Sequence, residues 1–141
     1  MRRASLILVC LALLVFGGHR IADANKTLSA TLTGAAEVGS GDPDGSGSAL
    51  VGLSPGGNEI CYSITVSGLG TPTAAHIHKG AAGTNGPVVV PFNPPVDGSV
   101  TGCVSVDPAL LKDIQQHPEN YYVNVHTDEF PGGAIRGQLS R

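Results

Sequence analysis

The chain has 141 residues, carries a formal net charge of −3, contains 20 glycines and 10 prolines and no tryptophan, and is only 13% charged. Such an acidic, sparsely charged chain without a basic stripe is excluded as a nucleic-acid binder and as a ligand for anionic membrane surfaces. Its length suits one domain after any leader is removed.

The first residues, MRRASLILVCLALLVFGGHRIADA, have a basic start at Arg2 and Arg3, an apolar run from Leu6 to Phe16 and an A-x-A arrangement at Ala22 and Ala24. This is the pattern of a secretory signal peptide over 1–24. The run is well short of the ~20 residues that span a bilayer, so no membrane span is expected once the leader is gone. The expected mature domain is 25–141, secreted or otherwise extracellular or periplasmic. A lipid anchor on Cys10 is disfavoured because Val9 stands where a small residue is wanted. Losing Arg2, Arg3, Arg20 and Asp23 with the leader makes the mature domain still more acidic. Asn25-Lys26-Thr27 matches a glycosylation sequon.

Short alternating runs rich in valine, isoleucine and threonine follow, separated by turn signals, and predict an antiparallel all-β sandwich or barrel of about eight strands. The strands are expected over Thr27–Thr33, Gly47–Leu53, Glu59–Ser67, Thr73–Lys79, Val88–Phe92, Ser99–Val106, Tyr121–Thr127 and Gly133–Leu139. Asn85-Gly86 and Asp97-Gly98 are pairs that tolerate positive φ, and Pro55-Gly56-Gly57 separates two runs as a hairpin turn does. In the flexible stretch 39–48, Asp42 and Asp44 hint at calcium, but the other ligands of a calcium loop are missing. One short helix is expected after Asp107 as cap and Pro108 at its first position, with Leu110, Leu111 and Ile114 inward and a stop at His117-Pro118. It should act as a lid over one end of the sandwich, leaving His117 a solvated imidazole near the helix carbonyls.

Side chains alternate along a strand, so apolar neighbours fix which way the polar ones point. Ile60, Tyr62, Ile64 and Val66 inward place Cys61 outward; Val100, Val104 and Val106 inward place Cys103 outward. An even pair of cysteines in an exported domain predicts a disulfide, with free thiols as the alternative. Closing so long a loop contributes about 4 kcal/mol in the chain-entropy model. The same rule turns His76 and His78 outward together, along with Tyr122, Asn124, His126 and Arg136.

His-x-His on a strand sets two Cα atoms roughly 6.5–7 Å apart on one side, within reach of a single ion. His126 completes a tris-imidazole set if its strand lies beside that of His76. Imidazole suits copper and zinc, and Asn124 or Asp128 are candidates to accept the remaining ring N–H groups. Outward histidines also serve as ordinary polar residues, so spacing alone leaves both readings open.

Three stretches, LSATLTGAAEV, AAHIHKGAAGTNGPVVVPF and YYVNVHTDEFPGGAIRGQL, together resemble the CHRD domain, a module of exported proteins named for chordin. The resemblance spans nearly the whole mature chain. It implies a Greek-key, immunoglobulin-like β-sandwich with a distant similarity to copper/zinc superoxide dismutases. By that similarity His76, His78 and His126 match copper ligands and Arg136 an anion-guiding arginine. No residue matches the histidine that bridges copper to zinc in those enzymes, no zinc-loop ligands are present, and Cys61 and Cys103 lie away from that family's disulfide. No nucleophile–base pair or paired carboxylates are recognisable. The expected function is therefore a binding module for a protein, matrix or surface component, with a copper site on one face. The alternative is a copper-dependent oxidoreductase.

Overall fold

A computed structural model describes residues 26–141; the expected leader with Cys10, and Asn25 of the sequon, lie outside the described residues. Eight strands form: β1 Lys26–Thr33, β2 Ser46–Ser54, β3 Glu59–Ser67, β4 Pro72–Lys79, β5 Val88–Phe92, β6 Ser99–Ser105, β7 Tyr121–Thr127 and β8 Ile135–Gln138. All neighbours are antiparallel in a single sheet of order β5-β4-β7-β8-β1-β2-β3-β6. Hairpins join β1 to β2, β2 to β3, β4 to β5 and β7 to β8, while β3–β4, β5–β6 and β6–β7 cross between the two halves of the sheet. Those crossings make the Greek key.

The sheet folds onto itself because each strand has one apolar side to bury. Leu28, Leu32, Val51, Leu53, Ile60 and Ile64 from one half meet Ile77, Val123, Val125 and Ile135 from the other in a single core. The β5 margin approaches the other end of the sheet where Phe92, the last residue of β5, stacks on Tyr62 of β3, ring centroids 3.9 Å apart. The Tyr62 hydroxyl accepts the Asn93 N–H there at 3.0 Å. The sandwich is thus nearly closed.

Helix α1, Pro108–Gln116, starts where Asp107 Oδ1 accepts the Ala109 N–H at 2.8 Å and buries Leu111 and Ile114. It packs against the β2–β3 turn, and Lys79 at the end of β4 pairs with Asp113 at 2.9 Å. The lid at one end of the sandwich is as expected. His117 is exposed, and the Arg141 guanidinium donates to the last helical carbonyls, Gln115 and Gln116.

Departures from the expected elements have local causes. β8 begins two residues late because Gly133 takes φ +137°, a backbone that favours glycine, and its N–H closes a turn onto Phe130. Gly98 has the positive φ expected of its turn and Gly86 does not. Gly86 is required for a different reason: a Cβ there would collide with the Lys79 carbonyl. The β2–β3 turn is a 3-10 turn, Pro55–Gly57, closed by Asn58 in the left-handed conformation. Two further 3-10 turns, Gly34–Ala36 and Pro118–Asn120, were not anticipated.

Cys61 and Cys103 stand directly opposite each other on β3 and β6 and are disulfide-bonded. The bridge lies on the outer surface, where parity put it. Among the described residues no helix is long and apolar enough to cross a membrane.

Candidate metal centre

β4 and β7 are adjacent, with His76 opposite Asn124 and Ala74 opposite His126. This register sets His126 one diagonal step from His76 on the outer side, and brings His76, His78 and His126 together. One nitrogen from each of the three lies within 4.8 Å of the others. His76 Nδ1 and His126 Nε2 are 3.2 Å apart. Two metal–nitrogen bonds of roughly 2.0–2.1 Å at tetrahedral or square angles hold their donors roughly 2.9–3.4 Å apart, so this pair already has the spacing of two ligands.

Backbone carbonyls fix which ring nitrogens are free. A carbonyl can only accept, so His78 Nδ1–H donates to Gly86 O at 2.9 Å and His126 Nδ1–H donates to Pro131 O at 3.0 Å. Each neutral ring is left with its lone pair on Nε2. The Nε2 of His78 is buried and has no hydrogen-bond partner. For Nδ1 of His76 to offer a lone pair, that ring takes its Nε2–H tautomer.

Parity gave the direction of these side chains but not their environment. His78 is 8% exposed, Tyr122 and Asn124 2%, and Arg136 1%. The segments 34–45 and 80–87 lie over the outer face of β4, β7 and β8. Asp42 N–H bonds to Ala134 O, and Gly86 N–H donates to the Tyr122 hydroxyl at 3.1 Å. His76 and His126 remain half-buried, so the group is open on their side and closed behind His78.

Burial pushes the His76 imidazole down to about 4, helped by the neighbouring His126 and His78. Burial likewise lowers His78, against the Gly86 carbonyl, with His126 and Arg136 adding to the depression. Neutral rings are ligands, whereas imidazolium is not.

The expected partners of the histidines differ from those observed. Asn124 Nδ2 donates to Ile135 O at 3.0 Å and to Glu37 rather than supporting a ring. Asp128 Oδ1 accepts the Glu129 N–H on an exposed loop. The supporting acceptors are instead main-chain carbonyls, which side-chain chemistry does not announce. Arg136 also departs from an anion guide at an open mouth. Its guanidinium lies 3.5 Å from the centre of the Tyr122 ring and donates to Thr84 O at 2.9 Å, Asn85 Oδ1 at 3.3 Å and Gln138 Oε1 at 3.4 Å.

Glu37, half-buried under its own loop, is pushed up to about 7 by burial, against the Arg136 charge and the Asn124 bond. Asp42 accepts the Asp44 N–H in a local turn and joins no group of three or more ligands among the described residues. Glu59 lies beside Cys61 and Cys103, but both sulfurs are already committed to the disulfide. Sequence reasoning missed Tyr122, Gly86, Pro131 and Glu37. Only Tyr122 left a signal, as an aromatic residue on the polar side of its strand.

Comparison with curated proteins and with solved structures found no match. The family model for the CHRD domain matches residues 28–139. That span runs from β1 to just past β8, taking in the three histidines, both cysteines and the loops that roof the site, and the chain belongs to the CHRD domain family.

Proposed function

We propose that this protein is an exported binding module whose CHRD domain takes up a copper ion through His76 Nδ1, His78 Nε2 and His126 Nε2. The observation that carries the reading is the buried Nε2 of His78. An orphaned acceptor in such a place costs free energy unless a ligand satisfies it. Three neutral imidazoles without a carboxylate among them favour a borderline cation over calcium or magnesium, and the affinity order of first-row divalent ions peaks at copper. Bound copper would supply a Lewis-acidic positive centre held by these three rings. The chain's own residues hold the rings, fix their tautomers and exclude water behind His78.

Export is supported by the leader pattern and by the disulfide, which persists in oxidising compartments. Family membership supports a module that also engages a protein, matrix or surface component. The oxidoreductase reading is less favoured because Arg136, its expected anion guide, is enclosed by Tyr122, Thr84 and Asn85.

Calorimetric titration of metal-stripped protein with copper(II) tests the proposal. One equivalent binds to the wild type, and zinc binds more weakly. A protein that takes up no copper, or whose uptake survives His78→Ala and His126→Ala unchanged, overturns it.

A further inference from the structure

His78, Gly86 and Tyr122 form a closed circuit, and Arg136 braces it. The His78 Nδ1–H donates to the Gly86 carbonyl, the Gly86 N–H donates to the Tyr122 hydroxyl, and the Tyr122 ring lies parallel to the His78 ring, 6° between planes and centroids 4.8 Å apart. Arg136 stacks on Tyr122 and bonds to Thr84 and Asn85, the two residues before Gly86. Resting on the copper reading above, we propose that Tyr122 and Arg136 are positioning residues for the third ligand. They hold the segment 80–87 so that the Gly86 carbonyl keeps the His78 proton on Nδ1 and leaves Nε2 free for the cation.

The physical reason lies in the weakness of the alternative. Thr84 and Asn85 are exposed and Gly86 is half-buried, so little apolar burial holds this stretch down. Its ends are tied by the Lys79 N–H to Pro87 O at 3.0 Å, the Gly80 N–H to Asn120 O at 2.8 Å and Gln138 Nε2 to Gly80 O at 3.0 Å. Between them, what reaches across to residues 84–86 is the guanidinium fork, with two acceptors in one rigid plane, and the phenol, which takes the amide of Gly86. A lysine has neither the fork nor the flat face that stacks. A histidine whose Nδ1–H partner drifts can exchange tautomers, and the nitrogen offered to the ligand pocket then carries a proton. Partners that orient a metal-binding histidine typically change metal affinity by about 10–100-fold when removed.

The metal-free protein provides a readout independent of copper. Long-range proton–nitrogen NMR on labelled wild type is expected to show His78 as a single Nδ1–H tautomer. Arg136→Met and Tyr122→Phe each give a mixture of tautomers, bind copper about 10–100-fold more weakly and change the copper electron-spin resonance signature. Arg136→Lys does not rescue. Should Arg136→Met fail to fold, Tyr122→Phe, which deletes one oxygen, carries the test. Folded variants that retain the single Nδ1–H tautomer and wild-type copper affinity overturn the inference. A wild type with the single tautomer but no copper uptake overturns the metal reading and leaves the positioning role resting on the tautomer.

Discussion

The outer surface of the sandwich has two halves built by the same alternation and finished differently. On β1, β2, β3 and β6 the outward residues stay bare: Thr31, Ser48, Thr65 and Ser99 stand in register across four strands, all exposed. On β4, β7 and β8 the outward residues include His78, Tyr122, Asn124 and Arg136, which loops enclose, beside the half-buried His76 and His126. Hydroxyls need no roof because water satisfies them. Imidazoles, a phenol and a guanidinium beneath a roof must find each other or the backbone, so that half is a bonded network. Strand parity therefore decides the side, and the loops decide whether that side becomes a site.

Removing the staple of the bare half, by changing Cys61 and Cys103 together to serine, should have the largest effect on stability. The expected loss is roughly 2–4 kcal/mol, read by denaturant unfolding, with copper affinity unchanged. His78→Ala in the roofed half should lower copper affinity by about 100-fold or more, while Ser48→Ala leaves it alone; equal effects in the same titration would dissolve the distinction. Glycines sharpen it further. Gly86→Ala forces a methyl against the Lys79 carbonyl and should cost about 1–3 kcal/mol. At Gly52 the nearest atom to a new Cβ is a carbonyl oxygen at 3.6 Å, and alanine should stay within ~0.5 kcal/mol.

The smallest effect is a pair of opposed pH slopes confined to the roofed half of the metal-free protein. His76 is lowered from 6.5 to about 4. The unfolded chain binds its proton first as pH falls, and stability present above about 6.5 is lost toward about 4. Glu37 is raised from 4.5 to about 7, so the folded state binds that proton first. Its stability is present below about 4.5 and lost as pH rises toward about 7. Where the windows overlap the slopes oppose each other. Glu37→Gln should steepen the acid loss seen in unfolding titrations, and His76→Ala should flatten it. Identical profiles for all three proteins would show that neither group is as enclosed as its surroundings indicate.

The strands were legible because each alternating run is short, rich in β-branched residues and bounded by its own turn chemistry. Glu59–Ser67, Val88–Phe92 and Tyr121–Thr127 match their expected limits. The disulfide is expected from an even pair of cysteines in an exported domain, and the outward parity of Cys61 and Cys103 agrees with it; the meeting of the three histidines follows from parity once β4 and β7 pair. What the sequence left unsaid lies in the covering loops. Nothing about Thr84, Asn85 or Gly86 announces that Thr84 O and Asn85 Oδ1 will seat an arginine, Gly86 O a histidine and the Gly86 amide a tyrosine. Apart from Asn85 Oδ1, this loop contributes backbone atoms that every residue possesses. Arg136 looked like a surface charge for the same reason: its exposure depends on a loop some 50 residues earlier in the chain.

The direct pairing of Cys61 with Cys103 across neighbouring strands also bears on strand register. A slide of one residue between β3 and β6 would turn one sulfur toward the interior and the other toward water, leaving them unable to join. Within the paired strands the bond is thus compatible only with the aligned register. Once formed, the bond holds β3 and β6 in the one register that keeps both sulfurs outward.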